Sequence, residues 1–317
     1  MRVLFVYTFL ANFSQQMPTD AKRCQDNVIK KKILKKMKMF YHQILFNFKE
    51  PGGTGGVEIN TEESLILKKY IDAFKGDIEY KCWSLHDANQ FLREYYPLFL
   101  CFMHLETQFD IVKCDIFRYI LMYHFGGLYT DIDFLCVKPI KDFISFTQEY
   151  LSSGSNVDKD SLKNTNPLIV LTEEWHDSVS MTKTIHNGFL ISLVEKHPFW
   201  LKLIFDIYDD LITKRRVLST ENDVYLTSGP KKLCSFYSEN KQMFSEILVL
   251  PYFYCCPYFA VIDSGEKIFC NSGSSDVPSP AISSWVFFKI HNALLINQYC
   301  PESFFVNVAL KSGSMWK

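Results

Sequence analysis

From residue 39 onward, apolar positions recur with two alternating periods. Met39 to Phe46 reads as a strand-like run, and residues 61–75 place Leu65, Ile66, Tyr70 and Phe74 at helical spacing. Ile78 to Leu85 alternates as a strand does, and Asp87 is placed to cap a helix running through Phe91 to Tyr95. Residues 112–124 gather Ile116, Phe117, Ile120 and Leu121 on one helical face, and Gly126 and Gly127 supply the left-handed stop expected just past a helix. Leu128 to Thr130 then starts a strand, and residues 189–213 read as helical. A strand, helix, strand, helix order predicts parallel pairing with crossover helices, which is the α/β class. Polar or glycine-rich stretches at 51–56, 152–166 and 271–284 read as loops. Without a repeat or a clean break after residue 39, the expected organisation is an apolar segment and basic linker over 1–38, followed by one domain over 39–317.

Composition narrows the partners. The 317 residues are 48% hydrophobic and 22% charged with a formal net charge of −1, which argues against a nucleic-acid binder. Ten cysteines include no CxxC pair and no zinc-finger spacing, so mostly free, buried thiols are expected, as at Cys114 and Cys136. At the amino terminus Arg2 precedes the apolar stretch Val3 to Phe13, too short to span a bilayer. It reads either as a signal or anchor, which would associate the chain with a membrane and place it in a secretory (Golgi) lumen, or as a buried strand of a cytoplasmic protein. Residues 18–38 are polar and basic and read as a solvated linker.

The chemistry concentrates between Asp110 and Pro139. Asp115 and Arg118 stand three apart and so share a helical face; by default that is a surface pair worth less than about 1 kcal/mol. Asp131 and Asp133 alternate in an extended segment and therefore point to one side. Two carboxylates so close repel unless a cation lies beside them, and a hard divalent ion, Mn²⁺ or Mg²⁺, takes oxygen ligands while keeping positions open for phosphates. A bare DxD is a weak signal; what gives it weight is Asp and Arg on one helix, then Gly-Gly, an aromatic strand and the two aspartates. The glycine-rich run Pro51 to Gly56 lacks the Gly-Lys-Ser/Thr ending of a phosphate loop.

That whole pattern, Lys113 to Asp133, resembles the DxD sugar transferases of glycosyltransferase family 32, which include fungal initiating mannosyltransferases, and their relatives among the glucosylating clostridial toxins. Phe125 stands where the family has Tyr before the glycines. Tyr41, His42, Gln43 and Ile44 are similar to the family's opening strand, with Leu45 where it has Trp and Phe46 next. Ile185 to Ser192 looks like the Asn-containing acceptor-side segment, Thr227 to Pro230 like its Thr-Gly-Pro, and Leu248 to Tyr254 like its late strand. Near the end, His291 and the pair Ser314 and Trp316 stand for the family's His and Ser-x-Trp.

The resemblance implies a GT-A-like fold with a mostly parallel, Rossmann-like central sheet flanked by helices. It implies transfer of a hexose or N-acetylhexosamine from a UDP- or GDP-sugar to a glycan, lipid or protein acceptor, with retention of configuration. Asp115, Arg118, Asp131 and Asp133 would be the catalytic set. Asp131, Asp133 and His291 would be metal ligands, and His42, Gln43, Leu45, Tyr129, Asn187, Gly229, Ser314 and Trp316 would line the substrate site. His186 would lie toward donor or acceptor beside Asn187. The competing readings are a non-catalytic sugar- or nucleotide-binding relative and a metal-dependent phosphohydrolase. A glycoside hydrolase needs two carboxylates spanning a cleft, which adjacent aspartates do not supply.

Overall fold

The structure is a computed structural model, and it describes residues 39–46, 78–132, 134–136, 138, 140–152, 168–174, 184–255, 259–261, 267–270, 277–278 and 305–307. The amino-terminal segment 1–38, the loop 51–56, the helix expected over 61–75, Asp133, most of the loops 152–166 and 271–284, His291, Ser314 and Trp316 lie outside the described residues.

The central element is a six-stranded sheet in the order β2-β1-β3-β6-β5-β7. Its strands are β1 (Met39–Ile44), β2 (Ile78–Trp83), β3 (Gly127–Thr130), β5 (Ile169–Thr172), β6 (Phe189–Ser192) and β7 (Ile247–Leu250). β1 pairs parallel to β2 and β3, and β5 parallel to β7; β6 runs antiparallel to both β3 and β5. One reversed strand among otherwise parallel ones is the α/β arrangement expected from the sequence. Two smaller antiparallel pieces join β4 (Phe134–Cys136) to β11 (Phe305–Asn307), and β8 (Phe259–Val261), β9 (Lys267–Cys270) and β10 (Val277–Pro278) to one another.

The helices are α1 (Leu85–Tyr95), α2 (Leu100–Met103), α3 (Ile111–His124), α4 (Ile140–Ser152), α5 (Pro198–Tyr208), α6 (Glu221–Thr227), α7 (Pro230–Asn240) and α8 (Tyr252–Cys255). The period-two alternation of the strands sends their side chains to opposite faces. Tyr41, Leu128, Phe189 and Ile191 pack with Ile140 and Phe143 of α4. On the other face His42, Trp83, Phe91, Phe117 and Phe125 stack against one another, with Trp83 5.4 Å from Phe91 and 5.5 Å from Phe117. Much of the high aromatic content is therefore core.

Three local expectations change. The cap of α1 is Ser84; Asp87 closes a reciprocal capping box three residues on, its carboxylate accepting from Ser84 N while Ser84 Oγ accepts from Asp87 N. Residues 189–192 are strand, because Phe189, Leu190, Ile191 and Ser192 are buried in the sheet between β3 and β5, and a short apolar run does not reveal its period. The helix starts only at Pro198, where His197 accepts from Phe199 N as the cap. Helix α3 is buried from Val112 through Met122 except at Lys113, so the expected single apolar face is a nearly all-round one. Among the described cysteines Cys82, Cys101, Cys114, Cys234 and Cys255 form no disulfide, and Cys114 and Cys255 are buried, as expected of apolar thiols.

Candidate functional site

Strands β1, β3, β5 and β7 all end at the same edge of the sheet, and reversed β6 begins there. Ligands of open α/β sheets bind outside this carboxyl edge. Asp131 leaves β3 at that edge, with its backbone N–H donating to Gly188 O at 2.8 Å, which extends the β3–β6 ladder by one step. Gly126 and Gly127 start β3 with φ of 62° and 84°. Only glycine adopts these angles freely, and a Cβ on Gly127 would sit 2.3 Å from Phe40 O on β1.

The carboxylate of Asp131 is partly exposed and Oδ1 is doubly held. The Tyr129 hydroxyl donates to Oδ1 at 2.6 Å, and Arg118 Nη1 lies 3.1 Å from it. Arg118 is 2% exposed; its Nη2 lies 3.0 Å from Asp115 Oδ1, its Nη1 donates to Asn187 O, and the guanidinium sits over the Tyr129 ring at 5.1 Å. The default view of Asp115 and Arg118 as a surface pair is thus corrected, since Asp115 is 4% exposed. Burying such a pair costs more than its Coulomb energy returns unless further hydrogen bonds satisfy it, and breaking it is strongly destabilising. Those bonds are present: Asn187 Nδ2 donates to Asp115 Oδ1 at 2.9 Å and Ser228 Oγ to Oδ2 at 3.0 Å.

The electrostatics follow. Burial pushes the Asp115 carboxyl up to about 6, with the nearby Asp131 charge adding to the rise and Arg118, Ser228 and Asn187 pulling it back. Burial works against the Arg118 charge, but Asp131, Tyr129 and Asp115 outweigh it and hold its pKa well above the ordinary value. His186 stands beside Asp131, its ring packed edge-on to Phe134 at 5.4 Å and its Nδ1 accepting from Gly188 N at 2.8 Å. The proton is thereby assigned to Nε2. Burial lowers its pKa, so it is a neutral donor near neutral pH.

The structure therefore brings together Asp115, Arg118, Tyr129, Asp131 and Asn187. It places His42 and Gln43 beneath the site, both fully buried. His42 Nδ1 accepts from Trp83 Nε1; Gln43 donates to Thr130 Oγ1 and Asp131 O and accepts from the Tyr80 hydroxyl. Leu45 is half-buried with its N–H on Trp83 O, while Phe46 is in the core against Phe117 at 5.8 Å. Gly229 caps α7, and it is the preceding Ser228 whose side chain reaches the site. Sequence reasoning missed Ser228, Tyr119 and Gly188. A Cβ on Gly188 would fall 2.3 Å from Asp131 Oδ2 and 2.7 Å from His186 Cε1. The only available signal was that Tyr119, Gly188 and Ser228 lie inside segments already matched to the family's pattern.

Residues 27–150 match the family described as the glycosyltransferase sugar-binding region containing a DXD motif. Among curated proteins the chain is 33% identical over 148 residues to inositol phosphoceramide mannosyltransferase 1 of Schizosaccharomyces pombe, covering 47% of this chain and 37% of that protein. It is 30% identical over 113 residues to the initiation-specific alpha-1,6-mannosyltransferase of Candida albicans, covering 34% of this chain and 27% of that one. The matches thus span under half the length of these relatives. Among solved structures the PaToxG glycosyltransferase aligns over 69% of this chain and 78% of its own, at 15% identity and a TM-score of 0.37. The likeness to DxD-containing sugar transferases holds for the segment that carries Asp115, Arg118, Asp131 and Asp133.

Proposed function

We propose that the chain is a GT-A-like glycosyltransferase that moves a hexose or N-acetylhexosamine from a nucleoside-diphosphate sugar to a glycan, lipid or protein acceptor. The observation that carries this is the ion-pair chain from buried Asp115 and Arg118 to the partly exposed Asp131, all three within the matched span and at the carboxyl edge of the sheet, with Asn187 bonded to Asp115 and Arg118. A carboxylate offers roughly four lone-pair positions, and the contacts from Arg118, Asn187 and Ser228 occupy three of those on Asp115. Asp115 and Arg118 together present an acceptor and a charged donor, the pair needed to grip sugar hydroxyls and fix the anomeric carbon toward the acceptor. Asn187 and His186 would then lie toward the donor or the acceptor, where the neutral His186 Nε2–H is a hydrogen-bond donor.

Asp131 fits a hard cation in part. Among the described residues its Oδ2 has no hydrogen-bond partner and its side chain is 33% exposed, whereas Oδ1 is held by Tyr129 and Arg118. Asp131 and Asp133, with His291, would hold Mn²⁺ or Mg²⁺, whose chemistry when bound is to neutralise a diphosphate leaving group. Retention of configuration rests on the resemblance to retaining transferases. The mannosyltransferase names of the relatives make GDP-mannose the first donor to test.

The test is release of nucleoside diphosphate from UDP-glucose, UDP-galactose, UDP-N-acetylglucosamine and GDP-mannose, with and without Mn²⁺, with the product's anomeric configuration read by NMR. Turnover of one donor, dependent on the metal and reduced about 100-fold or more by Asp133→Asn at unchanged or raised Tm, is the expected result. Binding of a nucleotide sugar without turnover of any would favour the non-catalytic reading, which draws on Leu45 at the position where the family has Trp. Unfolding of Asp133→Asn would make the aspartate pair structural.

A further inference from the structure

Asp115 is presented to the site by a helix that holds only one end of its carboxylate. Oδ1 meets Arg118 and Asn187, both already committed to other site contacts. Oδ2 meets a single described partner, Ser228 Oγ at 3.0 Å, which arrives from a residue 113 positions away at the end of α6. Ser228 is fully buried and its placement is itself over-determined. Its N–H donates to Val224 O at 2.9 Å as α6 ends, and its carbonyl accepts from the Tyr119 hydroxyl at 2.8 Å. Tyr119 is one residue beyond Arg118 on α3, fully buried, with its ring stacked on Trp200 at 6.1 Å and 15°. Its hydroxyl oxygen also lies 3.5 Å from Asn187 Nδ2, the other donor to Asp115.

These contacts close a ring through Asp115, Ser228, Tyr119 and Asn187 that ties α3 to the α6–α7 junction. Ring closure matters because an aspartate carboxylate rotates about a broad, roughly two-fold torsion. Bonded at one oxygen alone, its plane is free to turn about that oxygen; bonded at both, its plane is set. We propose that Ser228, braced through its carbonyl by Tyr119, is a positioning residue that sets the plane of the Asp115 carboxylate toward the donor sugar. This rests on the donor-site reading above. Neither Ser228 nor Tyr119 touches the sugar; both act through Asp115.

The test compares Ser228→Ala, Ser228→Thr and Tyr119→Phe with the parent protein, using whichever nucleotide sugar the donor screen identifies. A hydrogen bond to a charged group is worth enough that its loss at a reacting geometry should lower kcat/KM by about 10- to 100-fold in Ser228→Ala. Affinity for the free nucleoside diphosphate should stay unchanged, since Ser228 acts on the sugar end of the donor. Ser228→Thr keeps the hydroxyl and should recover most of the loss, while Tyr119→Phe, which keeps the hydroxyl of Ser228 but frees its carbonyl, should fall between.

The pH profile separates positioning from mere packing. Ser228 donates to the ionised form of Asp115, so removing it raises the carboxyl further and should move the acid limb of kcat/KM to higher pH. The other titratable groups around Asp115 are Cys114, Arg118 and Tyr119 on α3, Asp131 beyond β3 and Tyr225 on α6, all of which remain in Ser228→Ala. If Ser228→Ala fails to fold, Tyr119→Phe carries the same two readouts. An active parent with unchanged kcat/KM and acid limb in the folded variants overturns the positioning role and leaves the transferase reading standing. A parent that turns over no nucleotide sugar overturns both.

Discussion

At Gly188 a side chain and the Asp131 carboxylate cannot occupy the space available. The nearest atoms to an added Cβ are Asp131 Oδ2 at 2.3 Å and His186 Cε1 at 2.7 Å. The Asp131 side chain cannot simply turn aside, because its Oδ1 is held by Tyr129 and Arg118. Gly188→Ala should therefore displace the carboxylate and lower kcat about 10- to 100-fold, the range a misplacement of about 1 Å produces. The Tm should fall by only a few degrees, and a crystal structure showing Asp131 unmoved would contradict this account. This is also where sequence reading reached its limit. Asp115 and Arg118 were legible because three residues on a helix dictate a shared face whatever the rest of the chain does. Gly188 and Ser228 reach Asp131 and Asp115 across 57 and 113 residues of chain, and no local period encodes such contacts.

At the scale of elements, the junction from α3 into β3 is the most legible, since Gly126 and Gly127 mark the helix stop and the strand start with a backbone requirement that few other residues meet. Helix α3 was half legible: its ends were clear, but burial on all sides comes from α5 and the sheet, which the sequence shows only as other apolar runs. Strand β6 stands where the sequence predicts helix for a related reason, four apolar or small residues being too few to display a period. Gly127 tests how much the β1–β3 junction matters. Gly127→Ala combines a strained positive φ with a Cβ 2.3 Å from backbone oxygen of β1, which cannot move without opening the sheet. A loss of about 2–4 kcal/mol is expected in denaturant unfolding, larger than a surface substitution gives. Gly126→Ala is tight as well, its Cβ 2.8 Å from Ser192 O, so it should also destabilise, through β6 rather than β1.

For the whole molecule, the fully buried His42 and the half-buried His124 set a pH dependence whose sign can be worked out. His42 is fully buried among aromatic rings, and burial drives its pKa down to about 3, with the charges of Lys81 and His124 adding to the fall and the Gly126 backbone opposing it. His124 is lowered to about 4 by burial and by Lys196. Both are neutral in the folded protein and regain a pKa near 6.5 on unfolding, so below that pH the unfolded chain binds more protons. Their contribution to stability is full above about 6.5 and is lost as pH falls toward 4 and then 3. Asp115 has the opposite sign: its carboxyl is raised to about 6, so between about 6 and its ordinary value near 3.8 the folded protein binds the extra proton and gains stability. The fully buried His42 has the larger shift of the two, roughly a few kcal/mol at one pKa unit per about 1.4 kcal/mol. The net expectation is a Tm that declines steadily from pH 7 to pH 4. His42→Gln should flatten that decline while lowering the Tm at neutral pH, because Trp83 Nε1 depends on the ring nitrogen it removes. A Tm profile of the parent that stays flat across this range would show that His42 is not held neutral in the fold, and the aromatic layer beneath the site would then need another account.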